Sequence, residues 1–192
     1  MLKKHSISDY MADETEQKIL EAALEMFSQK GYIGATTVSI AEKAGFSEKT
    51  LFRKFKTKKN LFNTVIIENS KRFKKDFNLI STDTEFESPK DFLEVLIKDI
   101  ANLTDKYYEY INLAMIEGSR MPINNAAQEI PYYLAEYMEK NMKSRDIDYR
   151  IFAATILSFI YILIGDTYHG RTFMDREEAI DKFINNLSFC VR

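Results

Sequence analysis

At 192 residues the chain is long enough for one domain or two small ones, and 45% hydrophobic with 13% aromatic residues is ample for a core. Three prolines and six glycines exclude a disordered tract and a turn-rich all-β chain, and the single Cys190 excludes a disulfide within one chain and suits a reducing, cytoplasmic setting. The net charge of −2 hides an asymmetry, since residues 1–75 carry +6 and residues 76–192 carry −8. A basic head on an acidic body is the distribution expected when only one end meets phosphate.

The opening MLKKHSISDYMADE has no apolar run and does not read as a signal peptide. Residues 1–13 read as a short flexible arm, either simply disordered or placing Lys3, Lys4 and His5 against a polyanion. Ile19, Leu20, Ala23, Leu24 and Phe27 then recur at helical spacing. This predicts a first helix capped by Asp13 or Thr15 and ended at Gly31. Thr37 is the expected cap of a second helix and Ser47 of a third. Between them Gly45 stands where the chain must turn, and a residue without Cβ takes a positive φ there cheaply. Small Ala41 and apolar Leu51 flank that turn and let the two helices close on each other. Thr57 or Lys58 opens a fourth helix, and a polar, acidic break follows at 81–88.

After Pro89 a long helical pattern reads as one bent helix or two. A loop is expected at 121–125, then a helix from Ala126 or Pro131 to Ser144. The apolar run 151–165 is short for a membrane span, and Arg150 and Asp166 bracket it. It reads as part of a helix at about 149–168 that is buried on every side, with Gly170 as its end. Asp175 caps a last helix with Ile180, Phe183, Ile184 and Leu187 on one face. No strand pattern or repeat is visible. The fold class is all-α with about nine helices, divided as an arm at 1–13, a three-helix head at 14–60 and a helical body at 61–192.

The stretch TTVSIAEKAGFSEKTLFRKFKTKKNL carries the most specific signal. From Lys49 to Lys59 it holds six basic residues and no acid. The pattern resembles the DNA-binding domain of the TetR family of bacterial transcription regulators, on ATT at 35–37, the IAxxAGxS turn at 40–47 and the TLxxxFxxKxxL exit at 50–61. That resemblance implies that Thr37, Thr50 and Lys58 meet phosphates, beside the cap Ser47, and that Lys49, Arg53 and Lys54 occupy the variable recognition positions. Val38 matches a position that often faces DNA, where an apolar side chain can touch a thymine methyl. Phe52 stands where the family usually has Tyr, so a phosphate hydroxyl is lost. Lys54 stands where it often has His, which favours a phosphate anchor. Arg53 is the best candidate for guanine, since its fork matches O6 and N7.

The sequence offers no phosphate loop, nucleophile elbow or dinucleotide fingerprint, and no Cys/His cluster with metal spacing, so neither enzyme nor cofactor is expected. The resemblance implies an effector pocket in the body. Aromatic and methionine residues there build adaptable apolar cavities with polar tips. The candidates are Tyr107, Tyr110, Met115, Tyr133, Phe159 and Tyr161, with Arg120, Asp166 and His169 as polar anchors. Asp166 and His169, like Glu117 and Arg120, are three apart and share a helix face.

The implied protein is a homodimeric regulator, most simply a repressor that binds a palindromic double-stranded operator and is released by a small molecule, with no membrane partner. Activation, co-ligand dependence, or a carrier or enzyme with a vestigial DNA head are the alternatives. The helices at about 149–169 and 175–190 are expected to pair with their copies, with Ile160 and Ile184 in the interface.

Overall fold

The computed structural model describes residues 7–80, 86–120, 126–142, 147–171 and 174–189. Among them lie nine α-helices and no strand: α1 (Ile7–Gly34), α2 (Thr37–Lys43), α3 (Glu48–Phe55), α4 (Lys58–Ile80), α5 (Pro89–Lys106), α6 (Tyr108–Glu117), α7 (Ala126–Met142), α8 (Tyr149–Tyr168) and α9 (Arg176–Ser188). A short 3-10 turn, Gly118–Arg120, follows α6. The arm residues Lys3, Lys4 and His5, most of the break at 81–88, the loop at 121–125, Ser144 and Cys190 lie outside the described residues. The chain forms two compact units, residues 1–70 with 109–125, and residues 71–108 with 126–192.

In the first unit, α1 reaches back to Ile7, so Asp13 and Thr15 lie inside it and neither caps it. Gly31 breaks its helical path with φ 68 and ψ 172, a conformation nearly restricted to glycine. The cap of α2 is Thr36, not Thr37. Thr36 has the extended backbone a cap requires and accepts the Ser39 amide at 3.1 Å, leaving Thr37 as the first helical residue. The α2–α3 turn is a Schellman motif about Gly45, whose φ is 77. The Phe46 amide donates to Ala41 O at 2.9 Å and the Gly45 amide to Glu42 O at 3.0 Å, which satisfies carbonyls orphaned at the helix end. Ile40, Ala41, Leu51 and Phe55 are buried in the α2–α3 contact and under α1. Phe27, Tyr32 and Phe62 pack edge to face, with Phe62 5.2 Å from Phe27 and 5.0 Å from Tyr32.

In the second unit, α5 packs against α7, α8 and α9. Phe92, Leu93, Leu96, Ile97 and Ile100 form its buried stripe. The long pattern after Pro89 resolves into two helices, because Tyr107 leaves the helical region at φ −114 and ψ 20. Helix α8 departs from the expectation of burial on every side. Phe152, Ala153, Ile156, Ile160 and Ile164 face inward, whereas Ile151, Ala154, Thr155, Ser158 and Ile162 are exposed. By length and composition α8 is apolar enough to cross a bilayer, yet it also packs on α5 and α7. Gly170, at φ 65, ends it with a second Schellman pair, the Arg171 amide to Asp166 O at 2.8 Å and the Gly170 amide to Thr167 O at 3.1 Å.

Candidate functional site

The first unit presents the short helix α3 with one face inward and one outward. Leu51 and Phe55 anchor the inner face. Ser47 holds the start of the helix by accepting the Thr50 amide at 3.2 Å, and the two hydroxyls lie 3.0 Å apart. Lys49 and Arg53 are exposed on the outer face. Val38 and Phe52 are exposed as well, at 47% and 39%, an apolar pair on an otherwise charged surface. Lys54 is more withdrawn, its ammonium 3.6 Å from Glu16 on α1. Thr37 is committed within the protein, its hydroxyl donating to Glu48 Oε1 at 2.6 Å. As placed it therefore offers no hydrogen to a phosphate oxygen, which only accepts.

The exit from α3 is strained. Lys56 has φ 66 and ψ −46, and the Thr57 amide donates back to Phe55 O at 2.7 Å, which makes Lys56 the centre of a γ-turn with positive φ. Asn60 stabilises that exit, its side-chain amide donating to Phe55 O at 3.0 Å. Thr57 caps α4 by accepting the Asn60 amide at 3.0 Å. Lys58 then lies over the Tyr32 ring, 4.8 Å from its centroid, and donates to Ile33 O at 3.4 Å. Burial lowers its affinity for a proton, and the Glu117 charge acts the other way.

Glu117, at the end of α6, is 4% exposed and belongs to the same unit. It accepts the Tyr32 amide at 2.8 Å and is paired by Arg120. Burial pushes its carboxyl up, but the Arg120 and Tyr32 hydrogen bonds and the charges of Arg120 and Lys58 outweigh burial and hold it below the ordinary carboxylate range. A Cβ on Gly31 would stand 2.9 Å from its Oε1. Glycine is thus required there twice, by φ and by this carboxylate.

The second unit holds a cavity of about 300 Å³ between α7 and the later part of α4. Phe73, Phe77, Ile130, Tyr133 and Tyr137 give it an aromatic lining, and Lys74, Glu136 and Lys140 add charge. Of the expected effector residues, Tyr133 lines it. Tyr107 is buried edge to face against Phe73, 5.3 Å between ring centroids, and spent on Asp76, to which its hydroxyl donates at 2.8 Å. Burial and that bond push the Tyr107 phenol up to about 12. Phe159 stacks on Phe183 at 3.9 Å. Tyr161 and Tyr168 stack on Tyr108, whose hydroxyl lies 3.5 Å from His169 Nε2. Asp166 is half-buried near the same helix end. Tyr110, Met115 and Arg120 belong to the first unit, where Tyr110 is fully buried and Met115 is 69% exposed. Among the described residues no three His, Cys, Asp or Glu side chains gather as metal ligands.

Residues 19–65, the segment that builds α1 to the start of α4, match the family model described as bacterial regulatory proteins, tetR family. That segment carries the helix-turn-helix of the TetR family. The uncharacterised HTH-type transcriptional regulator YvkB of Bacillus subtilis strain 168 is 30% identical over 70% of this chain. That match spans 65% of the length of YvkB. The HTH-type transcriptional regulator UidR of Escherichia coli K12 is 25% identical over 81% of this chain and 82% of its own. The crystal structure of AibR, solved with isovaleryl coenzyme A and operator DNA, has the same fold, with a TM-score of 0.68 at 14% identity over 88% of this chain and 96% of its own. These relatives are transcriptional regulators, and a DNA-binding regulator is the reading they support.

Of the acids Glu48 and Glu117 in this unit, Glu117 stands out in the sequence by its spacing to Arg120, whereas Glu48 does not, because phosphate contact calls for basic side chains. Glu48 had one available signal: it is the single acid from Lys43 to Lys59. Glu117 had the i, i+3 spacing to Arg120 but no local sign that it reaches the Tyr32 amide, 85 residues away.

Proposed function

We propose that this chain is a cytoplasmic, homodimeric transcriptional repressor of the TetR family whose hold on a palindromic operator is released by a small molecule. The observation that carries the reading is the pair of unlike exposed faces. Helix α3 turns Lys49 and Arg53 outward, as a helix entering a major groove requires. Helix α8 turns Ile151 and Ile162 outward, 67% and 63% exposed, as an uncovered contact for a second copy requires. Ile160 and Ile184 are 0% and 3% exposed inside one chain, so the dimer contact runs through Ile151 and Ile162 instead.

The effector is proposed to occupy the aromatic cavity of the second unit, with Tyr133 in its wall and Phe73 and Phe77 on the opposite helix. A volume of about 300 Å³ sits at the small end of ligand pockets. It favours a compact, largely apolar molecule with one polar end. Helix α4 carries both this wall and, at its first residue, Lys58. A ligand that binds the DNA-free state better than the DNA-bound state shifts the population between them. AibR, which shares the fold at 14% identity, was solved with operator DNA and isovaleryl coenzyme A, and of that ligand only the short branched acyl chain suits a cavity of this size, so a short branched carboxylic acid is the first probe.

The test is selection of duplexes from a random pool by the full-length chain, followed by binding to the selected sequence across a salt series. The reading predicts an inverted repeat bound by two chains, with affinity falling steeply with salt. The same duplex placed across a promoter should lower transcription in a reporter. Binding with no sequence preference and no salt dependence would leave a carrier or enzyme as the better account.

A further inference from the structure

We propose that Glu48 is a base-reading residue, selecting cytosine in each operator half-site through its carboxylate. This rests on the DNA-binding reading above. Glu48 is the first residue of α3, fixed directly after the Ser47 cap, and the N-terminal residues of such a helix are the ones that reach base edges. It is half-exposed and stands alone as an acid among seven basic residues from Lys43 to Lys59.

A carboxylate on a face that meets phosphate lowers attraction to every DNA sequence alike. It gains where it finds a donor. In the major groove the amino donors are cytosine N4 and adenine N6, and adenine N6 sits beside N7, an acceptor that repels a carboxylate. Cytosine is therefore the base an acid at this position prefers.

Thr37 makes the contact specific. Its hydroxyl donates to Glu48 Oε1 at 2.6 Å, from the first residue of α2 to the first residue of α3. Among the described residues no other side chain bonds that carboxylate. An ionised carboxylate has about four acceptor positions, so one hydrogen bond leaves capacity for a base. The bond also holds a side chain that is otherwise free to rotate, so less order is lost on reaching DNA. Thr37 is on this account a positioning residue for Glu48 rather than a phosphate contact.

The experiment repeats the random-duplex selection with the full-length wild type and with Glu48→Ala, Glu48→Gln and Thr37→Val. The wild type is expected to fix a G·C pair, with cytosine on one strand, at one position per half-site. Glu48→Ala should flatten that position alone, lowering discrimination there about 5- to 150-fold, while raising affinity for random DNA. Glu48→Gln keeps an acceptor for Thr37 and so guards against simple loss of folding. Its amide donates as well as accepts, so it should admit adenine at the same position. Thr37→Val should weaken the preference there, and Thr37→Ser should restore it. Unchanged preferences at every position in Glu48→Ala and Glu48→Gln would overturn the assignment and leave DNA binding itself standing. A wild type that selects no sequence would overturn both.

Discussion

Helices α3 and α8 obey opposite rules of exposure, and the contrast separates what each can meet. Helix α3 is short and sends its charge outward over buried Leu51 and Phe55. Helix α8 is long and apolar, and it sends Ile151, Ala154 and Ile162 outward over buried Phe152, Ile156 and Ile160. The first surface is comfortable in water and gains further by meeting phosphate. The second exposes apolar area that association removes from water. In the function proposed above, charge belongs to the recognition surface and its absence to the assembly surface.

The contrast breaks most visibly at Ile162. A charge there, Ile162→Lys, should leave the chain folded but monomeric, since Ile162 is 63% exposed in one copy. Affinity for a palindrome should fall at least about 100-fold, because linking two heads is worth on the order of 10²–10⁴. Ile160→Lys should instead unfold the second unit, because Ile160 is fully buried. Sedimentation and far-ultraviolet circular dichroism on both variants separate the two outcomes.

The recognition surface should respond residue by residue. Arg53→Ala is expected to weaken the operator by about 1–3 kcal/mol and to relax one base position if its fork meets guanine. Lys58→Ala should lower affinity for all sequences alike and flatten the salt slope by about one. Because Lys58 also lies over Tyr32, it should lose some thermal stability too. Arg53, exposed and away from the core, should not. Fluorescence titrations on matched and mismatched duplexes test both claims.

Beneath the recognition surface, Gly31→Ala should cost about 1–3 kcal/mol of stability, since its φ of 68 and ψ of 172 suit glycine and the new Cβ would meet Glu117 Oε1. Denaturant unfolding measures this directly.

The smallest effect concerns acid. The Glu117 carboxyl is held below the ordinary Glu value of about 4.3. Its contribution is therefore fully present above that ordinary value and is lost as pH falls through the depressed folded value. Glu117→Gln should lower the melting temperature at pH 7, and the gap to wild type should close on acidification towards pH 3. A gap that stayed constant with pH would mean that the charge of Glu117 adds nothing.

Much of the head was legible because its signals are local. Gly45 announces a turn closed by hydrogen bonds within five residues, and Ser47 announces a cap three residues long. Two adjacent threonines, Thr36 and Thr37, look alike as caps, and the choice falls on backbone angles that composition does not carry. The body was legible as helices and less so as a site. The aromatic residues of 107–168 share a composition, yet Tyr107 is spent on Asp76, Phe159 on Phe183 and Tyr161 on Tyr108, while Tyr133 lines the cavity. These outcomes depend on packing between distant segments. Phe73, Phe77 and Tyr137 line the same cavity and carried no distinguishing pattern. The apolar run of 151–165 was equally plain, but hydropathy alone cannot tell a helix covered by its own chain from one covered by a second copy.

The most direct measurement is sedimentation of the wild-type chain at micromolar concentration, alone and with its selected duplex. The account predicts twice the chain mass in the absence of DNA, and one such dimer added to each inverted repeat. A stable monomer that binds the duplex one chain at a time, with no change on Ile162→Lys, would contradict it.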